Sequence, residues 1–439
     1  MSPALQAPAT GQEVTSVLFG IDPQLFAGSL FLLTYVLIMS ERINRAVVAM
    51  FMAGLMVLGG VIGQEAAVEG IDFNTIGLLT GMMLVVAVTK QSGVFQFLAI
   101  WAAKRVNAHP WGILVMLVLV TAVLSAVLDN VTTVLLVVPV TLLIVDALKL
   151  PAYPYLFAEI FAANIGGMAT LIGDPPNIMI GSAVGLGFND FLINLSPVAV
   201  VVLALTLGII YLIWGRQLHA DPKDRARVMD FKPESAITDR RLLWKSMAVL
   251  GLIMVGFILG HDLGLEPASI ALFGAAVLLV LVNLPLSASE QTKTLERVLS
   301  EIEWITLLFF MGLFVVVYGV ESTGLLERIS EGVLGLTGGD RTVTALAILW
   351  VAAVASAIVD NIPFVATMIP LIHSMEAGLG GAAAIEPVWW SLALGACLGG
   401  NGSLVGASAN LIVAGYAERA GQPIRFLPFM LMAFPLMLL

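Results

Sequence analysis

The amino-acid sequence predicts an all-α polytopic membrane protein built from two inverted repeats, each with a re-entrant helical hairpin and a broken transmembrane helix. Three observations lead to this fold class: the apolar composition, the distribution of lysine and arginine, and an internal repeat. Of the 439 residues, 59% are hydrophobic and 11% are charged, which leaves too few polar side chains to cover one soluble core. A lipid bilayer is therefore the expected solvent for most of the chain.

Apolar runs long enough to cross hydrocarbon recur along the chain, and we count about eleven, some of them interrupted. The first run, residues 24–40, lacks a basic n-region and a small-residue cleavage site, and more runs follow it. We therefore expect a mature helix rather than a signal peptide. The single cysteine, Cys397, excludes an intramolecular disulfide, and the formal net charge of −10 argues against nucleic acid as a partner.

Lysine and arginine fall on one side if the N-terminus lies outside and two segments, 111–149 and 342–377, form hairpins that return to the side they entered. In this topology all 20 basic residues except Arg328 and Arg341 face the cytoplasm. That bias follows the positive-inside rule. The sequence therefore predicts a multi-pass protein of the inner (cytoplasmic) membrane, with the N-terminus outside and two re-entrant hairpins.

The longest polar stretch, residues 216–245, contains two prolines and alternates acids with bases. This composition is typical of a solvated cytoplasmic linker. It separates the first repeat, residues 1–215, from the second, residues 246–439. Broken helices are expected at 154–186 and 388–418.

The internal repeat appears when the halves are superposed. A shift of 231 positions places LSAVLDNVTTVLLVVP (124–139) on ASAIVDNIPFVATMIP (355–370), and also matches Gly81 with Gly312 and Gly93 with Gly324. A shift of 233 places GGMATLIGDPPN (166–177) on GGNGSLVGASAN (399–410). Because each half has an odd number of crossings, the repeats should be inverted, as in many secondary transporters.

Two aspartates, Asp129 and Asp360, interrupt apolar segments at equivalent repeat positions. An ionised group at bilayer depth costs at least ~2.5–3.5 kcal/mol unless it faces protein or water. Asp-Asn pairs favour turns, and a turn at this depth must border protein or an aqueous cavity. Both hairpin tips should therefore point to one central site.

The glycine-rich blocks should form the other wall of that site. Pro175 and Pro176 remove two backbone donors and disfavour helix at Asp174, which frees carbonyls and helix ends for cations or polar oxygens. Gly402 and Gly406 could interrupt the second span without proline. Asp174 is matched by Ala407, so a third carboxyl is present in one half only.

The candidate solute- and ion-binding residues are polar or glycine positions in these four blocks or just before them. They are Asp129, Asn130, Thr132, Thr133, Asn164, Gly166, Gly167, Thr170, Gly173, Asp174, Asn177, Asp360, Asn361, Gly400, Asn401, Ser403, Ser408 and Asn410. No zinc motif, P-loop or nucleotide fingerprint is present, so we expect no cofactor and no resident metal, and an ATP-driven mechanism would require a separate subunit.

Each feature also has a structural interpretation. Glycines in membrane helices often serve close packing, and a lone buried aspartate can be neutral and hydrogen-bonded. His261 and His373 are expected in or near outer loops, Cys397 in small-residue packing near the site, and Lys90 and Arg105 at the cytoplasmic interface.

The four blocks together resemble the ion transporter superfamily, which contains the ArsB arsenite permeases, the NhaD-type sodium/proton antiporters, the melanosomal P protein and the sodium-coupled divalent-anion symporters. The resemblance covers nearly the whole chain. It implies that two hairpin tips and two broken helices form the site, that each protomer divides into a scaffold and a moving transport domain, and that a homodimer is a common assembly. Asp129 and Asn130 then form the cytoplasmic-side tip, and Asp360 and Asn361 the outer-side tip.

The tips differ from those of the divalent-anion symporters, which carry Ser-Asn-Thr where this chain has Asp129-Asn130-Val131 and Asp360-Asn361-Ile362. Two added carboxyls disfavour a dicarboxylate. The resemblance then leaves proton-coupled efflux of arsenite or antimonite as the preferred function, with NhaD-type sodium/proton antiport or an anion permease as alternatives. The chain is thus expected not to be an enzyme. An intramembrane aspartyl protease, which also buries two aspartates, is the alternative from another class.

Overall fold

A computed structural model describes residue 17 and residues 20–40, 42–260 and 263–439. Throughout this part of the chain the regular structure is helical, without a β-strand. The predicted fold class is confirmed: two inverted halves each contain a hairpin and a broken helix.

The first half begins with helices that cross or border the membrane and continues with a hairpin and a broken helix. In chain order these are α1 (Pro23–Met39), α2 (Arg45–Leu58), α3 (Gln64–Glu69), α4 (Phe73–Lys90), α5 (Val94–Arg105), α6 (Pro110–Val127), α7 (Asn130–Ala147), α8 (Tyr153–Met168), α9 (Pro175–Val184) and α10 (Phe188–Ile210). Hairpin 1 consists of α6 and α7, and α8 and α9 form the first broken helix.

Between the halves, α11 (Pro222–Met229) and a 3₁₀ turn (Pro233–Ala236) occupy the polar segment. The second half contains α12 (Arg240–Gly260), α13 (Pro267–Asn283), α14 (Ala288–Ser300), α15 (Trp304–Glu321), α16 (Leu325–Thr337), α17 (Arg341–Ile358), α18 (Asn361–Leu379), α19 (Ala382–Gly399), α20 (Ser408–Arg419) and α21 (Phe426–Leu438). Hairpin 2 consists of α17 and α18, and α19 and α20 form the second broken helix. Helix α12 begins inside the segment expected to be linker, because Asp239 accepts hydrogen bonds from its first backbone amides.

The two membrane faces are identified by contacts of the connecting segments. Lys104 Nζ donates to the carbonyl of Phe231, and Lys149 Nζ lies 3.1 Å from Asp224 Oδ1, so the loops at both ends of hairpin 1 lie beside the polar segment. We call this side the linker face and the other the opposite face.

The halves are inverted with respect to these faces. Hairpin 1 and α8 start at the linker face, whereas hairpin 2 and α19 start at the opposite face. The repeated glycines Gly93 and Gly324 precede the short helices α5 and α16 with φ of +79° and +74°. Glycine adopts this left-handed conformation without steric cost, which explains its recurrence at both positions.

The helices form two groups. In the scaffold group, α2 packs on α15 and α4 packs on α13, with α1 and α12 beside them. In the hairpin group, α6 runs along α8 and α17 runs along α19.

The outer surface is apolar, as a bilayer requires. Within the described residues, nine helices are long and apolar enough to cross a membrane. Large side chains on the outward-facing helices are exposed, including Leu212 at 80% and Phe273 at 69%. In water such a surface would be unfavourable, so these side chains are suited to contact lipid.

Candidate functional site

Each hairpin turns at an Asp-Asn pair, and the aspartate caps the helix that follows. Asp129 Oδ1 accepts from the backbone N–H of Thr132 at 2.7 Å, and its other oxygen accepts from the Thr132 hydroxyl at 2.6 Å. Asp360 Oδ1 accepts from the N–H of Ile362 at 3.0 Å. Capping satisfies otherwise unpaired amides, so both aspartates have a structural role in addition to any role in binding.

Asp174 lies where the two tips meet. Asn130 Nδ2 donates to its Oδ1 at 3.2 Å, and Asn361 Nδ2 donates to its Oδ2 at 3.2 Å. The Asp174 residue is 1% exposed. One buried carboxyl is therefore held by hairpins that enter from opposite faces.

Backbone hydrogen bonds fix each tip against its broken helix in the same way in both halves. The N–H of Asn130 donates to the carbonyl of Gly173 at 3.1 Å, and that of Asn361 to Gly406 at 3.3 Å. The hydroxyl of Thr170 donates to the carbonyl of Ala126, and at the equivalent position Ser403 donates to Ala357, both at 2.5 Å. These pairs follow the two shifts found in the sequence.

Side-chain amides join the broken helices behind Asp174. Asn164 Nδ2 donates to the amide oxygens of Asn401 and Asn410, each at 3.1 Å, while its own oxygen accepts from Asn130 at 3.4 Å. Asn164 thus connects hairpin 1 with the second half.

The amides of Asn177 and Asn410 close the interruptions of the broken helices. Asn177 Nδ2 donates to the carbonyl of Thr170 at 2.9 Å, and Asn410 Nδ2 donates to the carbonyls of Gly400 and Ser403 at 2.7 and 2.8 Å. Both side chains satisfy carbonyls that lack a helical partner, so these two residues support the site rather than line it.

Close packing explains the repeated glycines of the broken helices. A Cβ on Gly166 would collide with the backbone of Ala122, and one on Gly399 with the backbone of Ala353. Gly167 and Gly173 likewise approach each other's backbone. These glycines allow the hairpins to approach the broken helices closely. Of the predicted site residues on hairpin 1, Thr133 has a buried hydroxyl without a hydrogen-bond partner.

Arg45 belongs to the site although the sequence predicted only a cytoplasmic position for it. Its Nη1 lies 2.8 Å from Asp360 Oδ2 and 2.7 Å from the hydroxyl of Ser408, and its guanidinium stacks over Phe309 at 5.0 Å. Ser408 also donates to Asp360 Oδ2 at 2.7 Å. A scaffold helix therefore supplies a cation to the tip of hairpin 2.

Glu303 is the second residue that the sequence prediction missed. It precedes α15, is half-buried, and accepts from the hydroxyl of Thr306 at 3.1 Å. The 231-residue shift matches this pair with Asp72 and Thr75, which are bonded alike at 2.5 Å near the opposite face. Extending the repeat to the starts of α4 and α15 would have revealed the pair.

A small cavity joins these groups at the boundary between scaffold and hairpin helices. Its free volume of about 20 Å³ is enough for about one water-sized occupant. It is lined by the carboxyls of Asp129, Asp174 and Glu303, by the guanidinium of Arg45, and by the amides of both tips; Leu79, Met83, Val131, Pro175, Thr306, Ile362 and Ser408 complete the wall. Carboxylates outnumber cations, so the cavity favours a proton or a cation.

A wide vestibule of about 1350 Å³ opens between the two groups of helices near the opposite face. Its wall includes Asn74, Glu266 and His373. Leu78 also lines it, next in sequence to Leu79 of the small cavity. The vestibule wall is mainly apolar, but it also contains the carboxyl side chains of Glu266, Glu376 and Glu386.

The histidines, the cysteine and the lysine considered in the sequence analysis lie in different parts of the fold. His373 lies within α18, which continues to Leu379, and packs against Trp389. His261 lies outside the described residues. Cys397 occupies the position equivalent to Asn164, and its Sγ lies 3.5 Å from Asn177 Oδ1. Lys90 forms an exposed ion pair with Glu301.

Comparisons with known proteins agree with this architecture. The family model described as "CitMHS: Citrate transporter" matches residues 35–395. An uncharacterized transporter of Mycobacterium tuberculosis is 45% identical over 407 residues, covering 92% of each chain. The human P protein is 33% identical and covers 92% of this chain, although the match spans 57% of that longer protein.

The fold also resembles a solved structure. The YdaH transporter of Alcanivorax borkumensis, described as having an unusual topology, superposes with a TM-score of 0.59 over 95% of both chains, at 16% identity. The family model and the mycobacterial relative are both described as transporters, which decides against the intramembrane protease. The chain is a multi-pass membrane transporter that belongs to the CitMHS family.

Proposed function

We propose that the chain is a proton-coupled secondary transporter of a small inorganic solute, with Asp174 as the group that alternates between a proton and the solute. The observation that carries the proposal is the bonding of this buried carboxyl to Asn130 and Asn361, the tips of both hairpins. Since the hairpins start at different faces, a change in the charge of Asp174 acts on both at once. Such a link between proton binding and two gates is what coupled transport requires.

Charge and size favour sodium as the exchanged solute. Asp129, Asp174 and Glu303 line a cavity for about one water-sized occupant, and the guanidinium of Arg45 is already paired with Asp360. Free citrate, the solute in the family description, would meet these carboxylates without an unpaired cation to bind it. A monatomic cation exchanged for protons is better suited to this cavity.

Arsenous acid remains the second candidate, because a neutral trihydroxide needs hydrogen-bonding groups rather than a fixed cation. The amides of Asn130 and Asn361 offer such groups at the tips. This solute would require the cavity to widen during transport, which the approach of scaffold and hairpin helices would control.

The basic residues support an orientation. Lys104, Lys149 and the arginines of the polar segment lie at the linker face. By the positive-inside rule this face is cytoplasmic. The N-terminus then lies outside, and the protein resides in the inner membrane.

The test is transport by the purified protein in sealed liposomes with a pH-sensitive dye, using sodium, arsenite, antimonite and citrate in parallel. We expect sodium to dissipate a proton gradient and Asp174→Asn to abolish this exchange, because the amide keeps the size of the side chain but cannot bind a proton. Asp340→Asn, which alters an exposed cap of α17, is the matched control and should behave like the parent. Undiminished proton coupling in Asp174→Asn would contradict the proposal and leave Asp174 a structural residue.

A further inference from the structure

Glu159 is a second buried carboxyl of the first half, and nothing in the site described above uses it. It lies in the middle of α8 and is 1% exposed. One carboxyl oxygen accepts from the hydroxyl of Thr141 on α7 at 2.5 Å, while the other has no hydrogen-bond partner. A carboxyl in this setting is expensive to bury, so its presence needs a reason.

The inverted repeat shows that packing is not that reason. The two shifts place Glu159 on Leu392 and Thr141 on Ile372. Leu392 and Ile372 are fully buried in the same two helices of the second half. Because the equivalent contact is apolar there, the fold does not require a polar pair, and an apolar pair is generally at least as stable.

Further hydroxyls lie beside Glu159 and between it and the hairpin tip. Helices α6 and α8 run in the same direction, and the hydroxyl of Ser125 donates to the carbonyl of Ala163. One helical turn back on each helix brings Thr121 level with Glu159. The hydroxyl of Thr121 is buried without a partner, as is that of Thr133, one turn beyond the tip.

This polar row is also absent from the second half. The shift of 231 matches Thr121 with Ala352 and Thr133 with Phe364. Only Ser125 has a polar equivalent, Ser356, which makes the same bond to α19. The half that contains Asp174 therefore also contains a buried carboxyl and spare hydroxyls along the helices that lead to it.

Few other titratable groups lie on the elements packed against α8, and none that the structure describes pairs with Glu159. Helix α6 has none. On the other elements they are Asp146 of α7, Asp190 of α10, Glu386 and Cys397 of α19, and Tyr416, Glu418 and Arg419 of α20, with Tyr153 and Tyr155 on α8 itself. Tyr155 donates to the carbonyl of Pro110. The proton on Glu159 is thus governed by burial and by Thr141, not by a neighbouring charge.

We infer that Glu159 is a proton-binding site that exchanges protons between the linker face and the central carboxyl of Asp174. The proton leaves a carboxyl oxygen of Glu159 and is received by an oxygen of Asp174, so that one group becomes charged as the other becomes neutral. The unpartnered hydroxyls of Thr121 and Thr133 are placed to accept and donate along this course. The inference deepens the proposed function, since it rests on proton coupling at Asp174.

Transport measurements test this role with Glu159→Gln, which removes the proton site but preserves shape, and with Glu159→Leu, the residue found in the second half. We expect both variants to fold and to exchange labelled sodium for unlabelled sodium at the parent's rate. Net exchange of sodium for protons should fall at least about tenfold and lose its dependence on pH at the linker face. Asp146→Asn, an exposed carboxyl on α7, is the control and should leave both rates unchanged.

Infrared difference spectroscopy of the purified protein separates this inference from the proposed function. Raising the pH should remove a protonated-carboxyl band that is absent from both Glu159 variants and persists in Asp174→Asn. If the parent shows no proton coupling but the band titrates, the proposed function fails while the proton site stands. If net exchange and the titrating bands of the Glu159 variants match the parent, Glu159 is not a proton-binding site.

Discussion

The ion pair between Arg45 and Asp360 should stabilise the contact between the scaffold and hairpin 2. Arg45 begins α2 in the scaffold group, and Asp360 caps α18 in the hairpin group. Their N–O distance is 2.8 Å, and the two side chains are 25% and 10% exposed. The pair is thus intermediate between a surface bridge, worth about 0.2–1 kcal/mol, and a buried one, which costs about 3–5 kcal/mol to break. We expect a coupling energy of about 2 kcal/mol.

A double-mutant cycle measures this coupling. Arg45→Gln, Asp360→Asn and the double variant are unfolded reversibly in mixed detergent micelles, and the departure from additivity gives the pair energy. The pair of Lys90 and Glu301 is the matched control, because its N–O distance is 2.7 Å but both side chains are 41% exposed. Its coupling should be below about 1 kcal/mol.

The coupling energy of the Arg45–Asp360 pair should also affect transport if the hairpin group moves relative to the scaffold group. About 2 kcal/mol corresponds to roughly a 30-fold change in the ratio of two conformations. Arg45→Gln should therefore depopulate the conformation described here, as measured by the distance between spin labels on α2 and α18. Additive effects in the cycle, or an unchanged distance distribution, would refute the assignment of this pair as a contact that holds one conformation.

Two further predictions concern packing around the broken helices. Gly166→Ala should destabilise the protein by about 1–3 kcal/mol, because the added Cβ would collide with the backbone of Ala122. Gly208→Ala on α10 is the control and should not destabilise it, because a Cβ there meets nothing within 4 Å. Equal stabilities of the two variants in a thermal unfolding assay would contradict this account. Cys397 is 0% exposed, so it should resist maleimide in mild detergent and react only after denaturation; rapid labelling of the folded protein would show that α19 opens.

The sequence predicted the skeleton of the site because that skeleton depends on local chemistry. Asp-Asn turns and glycines at close contacts have the same effect in both halves, so they leave a repeat that superposition of the halves detects. The amides of Asn130 and Asn361 both contact the Asp174 carboxyl, so the two hairpin tips converge on one site as the sequence predicted.

The contribution of the scaffold could not be predicted in the same way. Arg45 and Glu303 reach the cavity through the packing of α2 and α15 against the hairpins, which no local pattern encodes. The sequence also treated the two tip aspartates as equivalent. In the structure Asp129 bonds with Thr132, whereas Asp360 pairs with Arg45, so their surroundings differ although their positions repeat.

That difference between the halves bears on the balance between the two conformations of an inverted repeat. If both halves had one sequence, exchanging their conformations would convert one state of the transporter into the other, and the two states would bind protons equally. At equal pH on both faces, protons would then leave the two states equally populated, because a ligand shifts two states only by its difference in affinity. Here the backbone contacts are symmetric, but Asp174 is matched by Ala407 and Glu159 by Leu392. The symmetric contacts make two conformations accessible, and the one-sided carboxyls make their proton affinities differ.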